Sequence, residues 1–426
     1  MPETINPRLR ELRREFHEHP EPGWCEFQTT ARLVRELERI GVDELAVGPE
    51  AYDPADRMAV PDDETLDEWH ERARINGVDA DLLELMEGGN TGAIAVLEQG
   101  EGPTVGLRVD IDGLYIEESI EDEHEPAAEG FRSNIEGTMH ACGHDAHMTW
   151  GLAVTEAILE SDFSGRLVVF FQPAEEVSGG GAPMAKSEYA ADLDYLFAVH
   201  IGLDHPTGTV VAGIEKPLAM AHVDVDIQGT SAHAGKAPQD GDNAMQALGA
   251  AIQNVYGIPR HADGMTRVNV GRVEGGTASN VIAEDVHAVA EVRGETTALM
   301  EYVLDELTRT FDGAAAMHGC EATVDVVSKS PRADSDPELV DVVAEAARGV
   351  TGVEMVTPTA DFGASEDATF LMERVQEEGG LACYCIVGTD HPTSHHTPTF
   401  DVDERSLPIG VDVLTNAILS VDGTDR

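Results

Sequence analysis

The stretch Arg166–Glu176, RLVVFFQPAEE, indicates a buried β-strand that ends in polar residues. Two further runs have the same form, TVGLRVD ending at Asp110 and DYLFAVH ending at His200. Near-continuous apolar runs separated by helical segments are typical of a parallel sheet covered by helices on both faces. Polar side chains just past the carboxyl ends of such strands lie where an open α/β sheet places its site. The sequence therefore predicts an α/β fold with a mixed, mostly parallel sheet and a site near these strand ends.

The pattern changes near Met220, where alternating and helical segments replace the apolar runs. AHVDVDIQG alternates, DNAMQALGAAIQNVYGI is helical, RVNVGRVEGG and NVIAEDVHAVAEVRG read as strands, a long helix follows, and CEATVDVVSK alternates again. This order, β-α-β-β-α-β, is that of a ferredoxin-like α+β unit. We therefore predict a discontinuous first domain over residues 1–218 and 331–426, with an inserted second domain over residues 219–330.

The composition limits the classes of partner. The chain has 426 residues and a formal net charge of −54, which opposes binding to nucleic acid or anionic membranes. The charged N-terminus lacks the apolar centre of a signal peptide, no apolar run is long enough to span a membrane, and the five cysteines show no framework spacing. We expect a cytoplasmic protein from the high-salt cytosol of a halophile, where ions screen the self-repulsion. An ordinary cytosol is the alternative.

The segment Met139–Met148, MHACGHDAHM, crowds histidines, a cysteine and an aspartate into ten residues. Zinc and similar metals take imidazole, thiolate and carboxylate ligands together. Cys142 and His144 are two residues apart, so one loop can direct both at the same centre. A further histidine, His395 or His396, lies in SHHTPTF. With the strand-end residues these ligands exceed what one closed tetrahedral ion requires, which indicates two ions that share a bridging ligand.

The adjacent carboxylates in PAEE predict different roles for Glu175 and Glu176. Glu176 would bind metal, while Glu175 would take the proton from a metal-bound water as general base. A bound metal ion lowers the pKa of such a water to about 7, so the water can lose a proton near neutral pH. Glu-Glu pairs are mostly solvated surface and His-rich loops are often merely polar, but their combination at strand ends favours chemistry. A metal-storage or thiol-sensing protein would not need the PAEE pair.

Six segments resemble, in order and spacing, the aminoacylase and carboxypeptidase G family of dinuclear metal amidohydrolases: MHACGHDAHM, FFQPAEE, AVHIG, GTSAHAGKAPQDGDNA, GGTASNVI and HHTPTFDVDE. The resemblance implies a zinc-peptidase-like catalytic domain, an inserted lid and dimerisation domain, and two divalent ions per subunit. Zinc or manganese are expected, with nickel or cobalt as alternatives. The implied activity is hydrolysis of an N-acyl or N-aroyl amino acid, first p-aminobenzoyl-glutamate and alternatively hippurate. A non-catalytic partner subunit of a hetero-oligomeric hydrolase is the alternative of another class.

The resemblance also implies roles for individual residues. The metal ligands would be Cys142, His144, Glu176, His200 and His396. His396 is favoured over His395 by its distance from the family's Phe-Asp-x-Asp-Glu tail. Cys142 stands where other branches use a bridging aspartate, and Arg108 occupies the place of the first metal histidine of the carboxypeptidase G branch. Asp110 matches the carboxylate that supports the site from outside the ligand set.

The inserted domain would contribute to catalysis and substrate binding. His233 resembles the histidine that reaches the partner subunit's site and stabilises the oxyanion, which would make dimerisation part of catalysis. Asn280 and Arg293 resemble substrate-binding positions, and arginine suits a substrate carboxylate because it can bind it in a bidentate way. Two departures from the family pattern, Ala283 and Ala368, bear on the shape of the pocket. The partner would be a second copy or a paralogous subunit.

Overall fold

The computed structural model describes residues 6–391 and 393–421, which form two compact units. The larger unit is drawn from Met1–Glu215, Ala333–Asp361 and Asp367–Arg426, and the smaller one from Lys216–Arg332 and Phe362–Glu366. The predicted first domain also included residues 1–5, 392 and 422–426, which lie outside the described residues. The lid and dimerisation roles of the smaller unit stay predictions.

The larger unit is built on an eight-stranded mixed sheet. Its strands are β1 (Glu44–Val47), β2 (Ala93–Glu98), β3 (Thr104–Asp110), β4 (Arg166–Gln172), β5 (Tyr195–Ile201), β6 (Thr209–Glu215), β11 (Met355–Asp361) and β12 (Leu381–Val387). Their order is β1-β2-β4-β3-β5-β12-β6-β11. The pairs β3–β4, β3–β5, β5–β12 and β6–β11 are parallel, so the prediction of a mixed, mostly parallel sheet is confirmed.

The larger unit also contains the α-helices that precede, connect and follow the strands of this sheet. Within the described residues of the larger unit they are α1 (Pro7–His17), α2 (Phe27–Ile40), α3 (Asp63–Ile75), α4 (Ala80–Leu85), α5 (Glu125–Glu129), α6 (His144–Leu159), α7 (Gly181–Lys186), α10 (Pro337–Arg348), α11 (Thr369–Glu377) and α12 (Ser406–Val421). Asn6 caps α1 by accepting a hydrogen bond from the Arg8 amide, and α2 ends at the left-handed Gly41. Across both units, no helix of the described chain has the length and apolarity to cross a membrane.

Three neighbouring strands place the polar strand ends at one edge of the sheet. β4, β3 and β5 run parallel in that order, and Asp110 at the end of β3 is paired with Gln172 at the end of β4. These strands are buried along almost their whole length, as expected for a sheet covered on both faces. The carboxyl ends of parallel strands meet at the same edge, so the segments after β3 and β4 converge with the end of β5.

The smaller unit has the predicted order β-α-β-β-α-β. Its elements are β7 (Ala219–Gln228), α8 (Ala244–Val255), β8 (Thr266–Gly275), β9 (Asp285–Gly294), α9 (Thr297–Met317) and β10 (Glu321–Ser330). The strands form an antiparallel sheet in the order β10-β7-β9-β8. Alternate residues of β7 and β9 are buried with apolar side chains of α8 and α9, which gives this unit a core of its own.

Candidate metal centre

The segments at the carboxyl edge of the larger sheet bring the predicted ligands together. Cys142, His144 and His200 form one group of side chains whose ligand atoms all lie within 4.8 Å of one another. Cys142, Glu176 and His396 form a second such group. Cys142 belongs to both groups, with its Sγ atom 3.5 Å from His200 Nε2. This sharing is the arrangement that a ligand bridging two ions requires.

Gly143 lets the ligand loop turn into α6. Its φ of +86° lies in the left-handed region, and an added Cβ atom would stand 2.3 Å from Ile201 Cγ2 in the end of β5. No other residue type tolerates both the conformation and the close approach. The loop therefore runs directly against β5, which brings Cys142 and His144 beside His200.

Two buried atoms of the ligand set have no hydrogen-bond partner among the described residues. They are His144 Nε2 and Glu176 Oε1, which lie 3.8 Å apart. The other ring nitrogen of His144, Nδ1, lies 2.9 Å from the Asp112 carbonyl oxygen and 3.1 Å from Asp112 Oδ1, so Nδ1 is a donor to Asp112 and Nε2 is the nitrogen that faces Glu176. Buried polar atoms are nearly always satisfied. An imidazole lone pair and a carboxylate oxygen that face each other fit a divalent cation between them.

The charge around His144 favours a cation at the same point. Burial disfavours the imidazolium, but Asp110, Asp112 and Glu176 outweigh it and raise the pKa of His144 to about 10. Glu175 is also close, with its Oε2 atom 4.0 Å from His144 Nε2. A field of carboxylates that stabilises a proton on Nε2 stabilises a metal ion there as well.

His200 is held in the neutral form that a metal ligand needs. Burial, followed by the neighbouring imidazoles of His147 and His395, lowers its pKa well below the usual value. Its Nδ1 atom lies 2.7 Å from the Ile201 carbonyl oxygen, which makes Nδ1 the donor. The Nε2 lone pair therefore faces Cys142, in the tautomer that binds metal.

The two adjacent histidines of the C-terminal loop have different surroundings. His396 Nε2 lies 3.3 Å from Glu176 Oε2, and this hydrogen bond raises the pKa of the imidazole. His395 Nε2 instead lies 3.2 Å from the Ile201 carbonyl oxygen, and the ring packs 4.6 Å from the Phe400 ring. The geometry thus joins His396 to the ligand groups. Its role as ligand stays a prediction.

Asp110 lies beside the predicted ligands, with its Oδ1 atom 3.5 Å from His144 Nε2, in a network of buried polar groups. Its Oδ2 atom accepts a hydrogen bond from Arg108 (2.6 Å) and its Oδ1 atom one from His147 Nδ1 (2.5 Å). Burial alone would raise the pKa of Asp110, but His144, His147 and Arg108 hold it well below the usual value. The carboxylate is therefore ionised. His147 in turn accepts a hydrogen bond from the Ile201 amide, which ties this network to β5.

Two residues of this site were not assigned from the sequence, Asp112 and His147. Asp112 orients His144 through Nδ1 and accepts the Glu176 amide at 2.9 Å. His147 lies one helical turn after His144 on α6, and the two rings stack with centroids 5.3 Å apart. The i, i+3 spacing in HDAH was the available signal, since such residues share one helix face.

The predicted residues of the smaller unit lie in two regions of it. His233 is exposed and pairs with Val281 in an isolated bridge, and the Ala234 amide donates to the Asn280 carbonyl oxygen at 3.0 Å. Arg293 lies near the other end of β9, eight residues after Asp285, or roughly 26 Å along the strand. Its guanidinium forms two hydrogen bonds with Glu291. The structure thus joins the segments of His233 and Asn280 and leaves Arg293 apart from them.

The fold and the ligand groups define a metal-dependent hydrolase, and the chain belongs to peptidase family M20/M25/M40, which it matches over residues 106–420. It is a hydrolytic enzyme that acts on amides.

Two relatives and two solved structures describe the similarity. The chain is 37% identical to one subunit of p-aminobenzoyl-glutamate hydrolase from Escherichia coli (strain K12), over 99% of this chain and 97% of that protein. It is also 37% identical to indole-3-acetyl-aspartic acid hydrolase of Enterobacter agglomerans, over 97% and 96% of the two chains. The structure of an aminobenzoyl-glutamate utilization protein from Klebsiella pneumoniae superposes with a TM-score of 0.83 at 33% identity, covering 97% and 95%. A dinuclear metal-binding peptidase from Bacillus subtilis has the same fold, with a TM-score of 0.67 at 23% identity and coverage of 98% of each chain.

Proposed function

We propose that the protein cleaves the amide bond between an aromatic acyl group and an acidic amino acid, with p-aminobenzoyl-glutamate as the leading substrate. The products would be p-aminobenzoate and glutamate. The observation that carries the chemistry is the pair of facing, unpartnered atoms His144 Nε2 and Glu176 Oε1 beside Glu175. The observation that supports the substrate class is the similarity to two hydrolases whose names share an aromatic acyl group and a dicarboxylic amino acid.

Two other kinds of amide are candidate substrates besides p-aminobenzoyl-glutamate. Indole-3-acetyl-aspartate is the second candidate, because the hydrolase named for it is as similar in sequence as the p-aminobenzoyl-glutamate enzyme. Hippurate and other N-acyl amino acids are the broader alternative, supported by relatives at 26–27% identity that are named deacetylases. The acidic amino acid moiety distinguishes the first two candidates from hippurate.

The ligand groups fit two divalent ions, zinc or manganese, with nickel or cobalt as alternatives. Cys142, His144 and His200 would hold one ion, and Cys142, Glu176 and His396 the other. When bound, the ions would supply Lewis-acid polarisation of the amide carbonyl and a lowered pKa for the attacking water. Thiolate and imidazole ligands suit zinc, while carboxylate suits manganese, so the mixed ligand set is compatible with either.

The protein's own side chains would move the proton and stabilise the developing charge. Glu175 would take a proton from the attacking water and later deliver it to the leaving amine. Asp110 and Asp112 would keep their neighbouring histidines, His147 and His144, in one orientation. His233 would stabilise the oxyanion of a tetrahedral intermediate in the partner subunit.

Substrate binding and assembly form a separate part of the proposal. Asn280 would bind substrate, and Arg293 would do so only after a substrate carboxylate displaced Glu291 from its guanidinium. The relative whose name makes it one subunit of a hydrolase supports assembly with a paralogous subunit, and a homodimer is the alternative. A non-catalytic role within such an assembly remains the competing hypothesis. We place the protein in the cytosol of a halophile, on the strength of its net charge of −54.

The test is hydrolysis by the purified protein alone, in molar KCl with zinc or manganese added. p-Aminobenzoyl-glutamate, indole-3-acetyl-aspartate and hippurate would be compared, with Glu175→Gln as the control that retains metal. The proposal expects release of glutamate or aspartate by the wild-type chain and a loss of about 10²–10⁴-fold in Glu175→Gln. Cleavage of hippurate alone would move the substrate to simple N-acyl amino acids. Two bound ions with no cleavage of any of the three would favour the non-catalytic subunit.

A further inference from the structure

The turn that carries Glu175 and Glu176 has an unfavourable backbone conformation at its first residue. Ala174 has φ +57° and Ser178 φ +51°, both in the left-handed region. The turn is closed by the Ser178 amide on the Glu175 carbonyl oxygen (2.7 Å) and the Gly179 amide on the Ala174 carbonyl oxygen (2.8 Å). For a residue with a Cβ atom, this conformation costs about 1–2 kcal/mol. Interactions outside the turn must therefore hold Ala174 in place.

A buried carboxyl group from the N-terminal segment provides such an interaction. Glu26 precedes α2, its side chain is completely buried, and its Oε1 atom accepts a hydrogen bond from the Ala174 amide at 2.8 Å. Its Oε2 atom accepts the Thr91 hydroxyl at 2.6 Å. The backbone of the same segment packs on the turn, since a Cβ atom added to Gly23 would lie 3.0 Å from Ala174 Cα. Glu26 thus connects the segment after α1 with the residue that precedes Glu175.

The cost of burying this group indicates that its hydrogen bonds matter. Burial, followed by the nearby Asp112 carboxylate, raises the pKa of Glu26 well above its usual value. Burying a carboxyl group away from water costs free energy unless its oxygen atoms accept hydrogen bonds. Here the Ala174 amide and the Thr91 hydroxyl donate those hydrogen bonds. Neither the ligand groups nor the proton transfer described above uses Glu26.

We propose that Glu26 is a positioning residue for Glu175, acting through its hydrogen bond to the Ala174 amide. The proposal rests on the proposed role of Glu175 as the proton carrier. Glu26 holds Ala174 in the left-handed conformation, and this fixes the direction in which the chain leaves β4 and presents the two glutamates. Without the bond Ala174 relaxes and Glu175 moves relative to the ligand groups. Displacements of about 1 Å in a catalytic group can cost about 10²-fold in rate.

Three substitutions of Glu26 and one of Glu21 test this inference. Glu26→Ala removes both hydrogen bonds, Glu26→Asp withdraws the carboxyl group by one methylene, and Glu26→Gln keeps an oxygen for the Ala174 amide. The matched control is Glu21→Ala in the same segment, because Glu21 is also fully buried but accepts the amides of Gln28 and Thr29 at the start of α2. Each variant would be measured for kcat, KM, metal content and hydrogen exchange of the peptide that contains Ala174–Gly179.

The expected pattern separates positioning from general stability. Glu26→Ala should lose about 10–100-fold in kcat with KM and metal content near the wild-type values, and the Ala174–Gly179 peptide should exchange faster. Glu26→Gln should recover kcat to within about threefold of wild type, because its side-chain oxygen can still accept the Ala174 amide. Glu21→Ala should lower the melting temperature and leave kcat unchanged. If Glu26→Ala does not fold, Glu26→Asp decides, with an expected loss of about 10-fold.

Three outcomes would overturn the inference. A folded Glu26→Ala variant with wild-type kcat would do so, as would an equal loss of kcat in Glu21→Ala, or a folded Glu26→Gln variant as inactive as Glu26→Ala. The exchange experiment does not depend on turnover. Unaltered exchange of the Ala174–Gly179 peptide in Glu26→Ala would therefore refute the positioning role even if the wild-type protein hydrolysed none of the amides, a result that would count only against the proposed function.

Discussion

Two clusters of the larger unit use histidine and carboxylate side chains in opposite ways. The ligand cluster contains Cys142, His144, Glu176, His200 and His396, with facing lone pairs that lack hydrogen-bond partners among the described residues. The second, here called the ion-pair cluster, contains Arg13, His17, Glu118, His124, Asp145 and Asp401. There, each carboxylate meets a cationic or donating group at 2.5–2.9 Å.

The two clusters differ in whether protein groups compensate the charge of their carboxylates. In the ion-pair cluster Asp145 lies 2.8 Å from both Arg13 Nε and His17 Nδ1, so its charge is compensated within the protein. In the ligand cluster His144 Nε2 and Glu176 Oε1 face each other at 3.8 Å, and neither has a hydrogen-bond partner among the described residues. The two clusters are adjacent at the start of α6, where His144 and Asp145 are neighbours. The ion-pair cluster stabilises the fold, and the ligand cluster is the candidate site for metal ions.

The largest expected effect comes from removing a ligand while the ion-pair cluster stays intact. His144→Ala should bind at most one of the two ions and lose about 10³-fold or more in kcat/KM, because it removes Nε2, a buried nitrogen with no hydrogen-bond partner among the described residues. Metal analysis and steady-state kinetics would measure this. Arg13→Met is the matched control and should keep both ions. Two tightly bound ions in His144→Ala would contradict the assignment of the ligand cluster.

A smaller effect, on stability, is expected in the ion-pair cluster. Arg13→Met should lower the free energy of unfolding by about 3–5 kcal/mol, because it leaves Asp145 and Asp401 buried without their cation. Urea denaturation would measure it. Arg8→Met on the same helix is the control, since Arg8 is 42% exposed in its ion pairs and should cost at most about 1 kcal/mol. Equal losses in the two variants would remove the distinction between the clusters.

The protonation of His17 should give the ion-pair cluster a pH dependence. Burial and Arg13 lower the pKa of His17, but hydrogen bonds to Asp145 and Glu118 outweigh them and raise it to about 9. A pKa raised on folding contributes stability that is fully present below the unfolded value of about 6.5 and is lost as the pH rises through about 9. The difference in unfolding free energy between wild type and His17→Gln should therefore be about 3 kcal/mol larger at pH 6 than at pH 10. A constant difference across this range would show that His17 is neutral in the fold.

The smallest effect concerns salt. The exposed acidic surface should gain stability as KCl rises from dilute to molar concentration, because ions screen its self-repulsion. The cost of Arg13→Met should change by less than about 0.5 kcal/mol over the same range, since buried pairs are screened little. Denaturation of both proteins at several KCl concentrations would measure the two quantities. Salt-independent folding of the wild-type chain would argue against the halophilic host.

Most of the sheet and the ligand types were predictable from local patterns. Apolar runs that end in Asp110, Glu175 and His200 report strands and their carboxyl ends directly, because burial on both faces requires near-continuous apolar sequence. Alternating and helical periodicity predicted the β-α-β-β-α-β order of the smaller unit. Cys142 and His144 were predicted as ligands from their spacing together with the strand-end residues and the family resemblance.

The supporting residues could not be predicted in the same way. Arg13 and Asp401 are 388 residues apart, and nothing in the local pattern of α1 indicates its partner. Glu26 reads as an ordinary residue before a helix, and only the contact with Ala174 distinguishes it. Arg293 is the reverse case, since its pairing with Glu291 follows from their i, i+2 spacing on one face of a strand and could have been expected.

The ion pair between Arg13 and Asp401 joins early and late parts of the larger unit, so it can form only after most of the chain has been synthesised. A ribosome makes the N-terminal end first, so α1 leaves the exit tunnel long before its partner exists. His396, a predicted ligand, is close to Asp401 in the sequence. The larger unit, with its candidate metal site, is therefore completed only after Asp401 has been made, when nearly all of the smaller unit, up to Arg332, already exists.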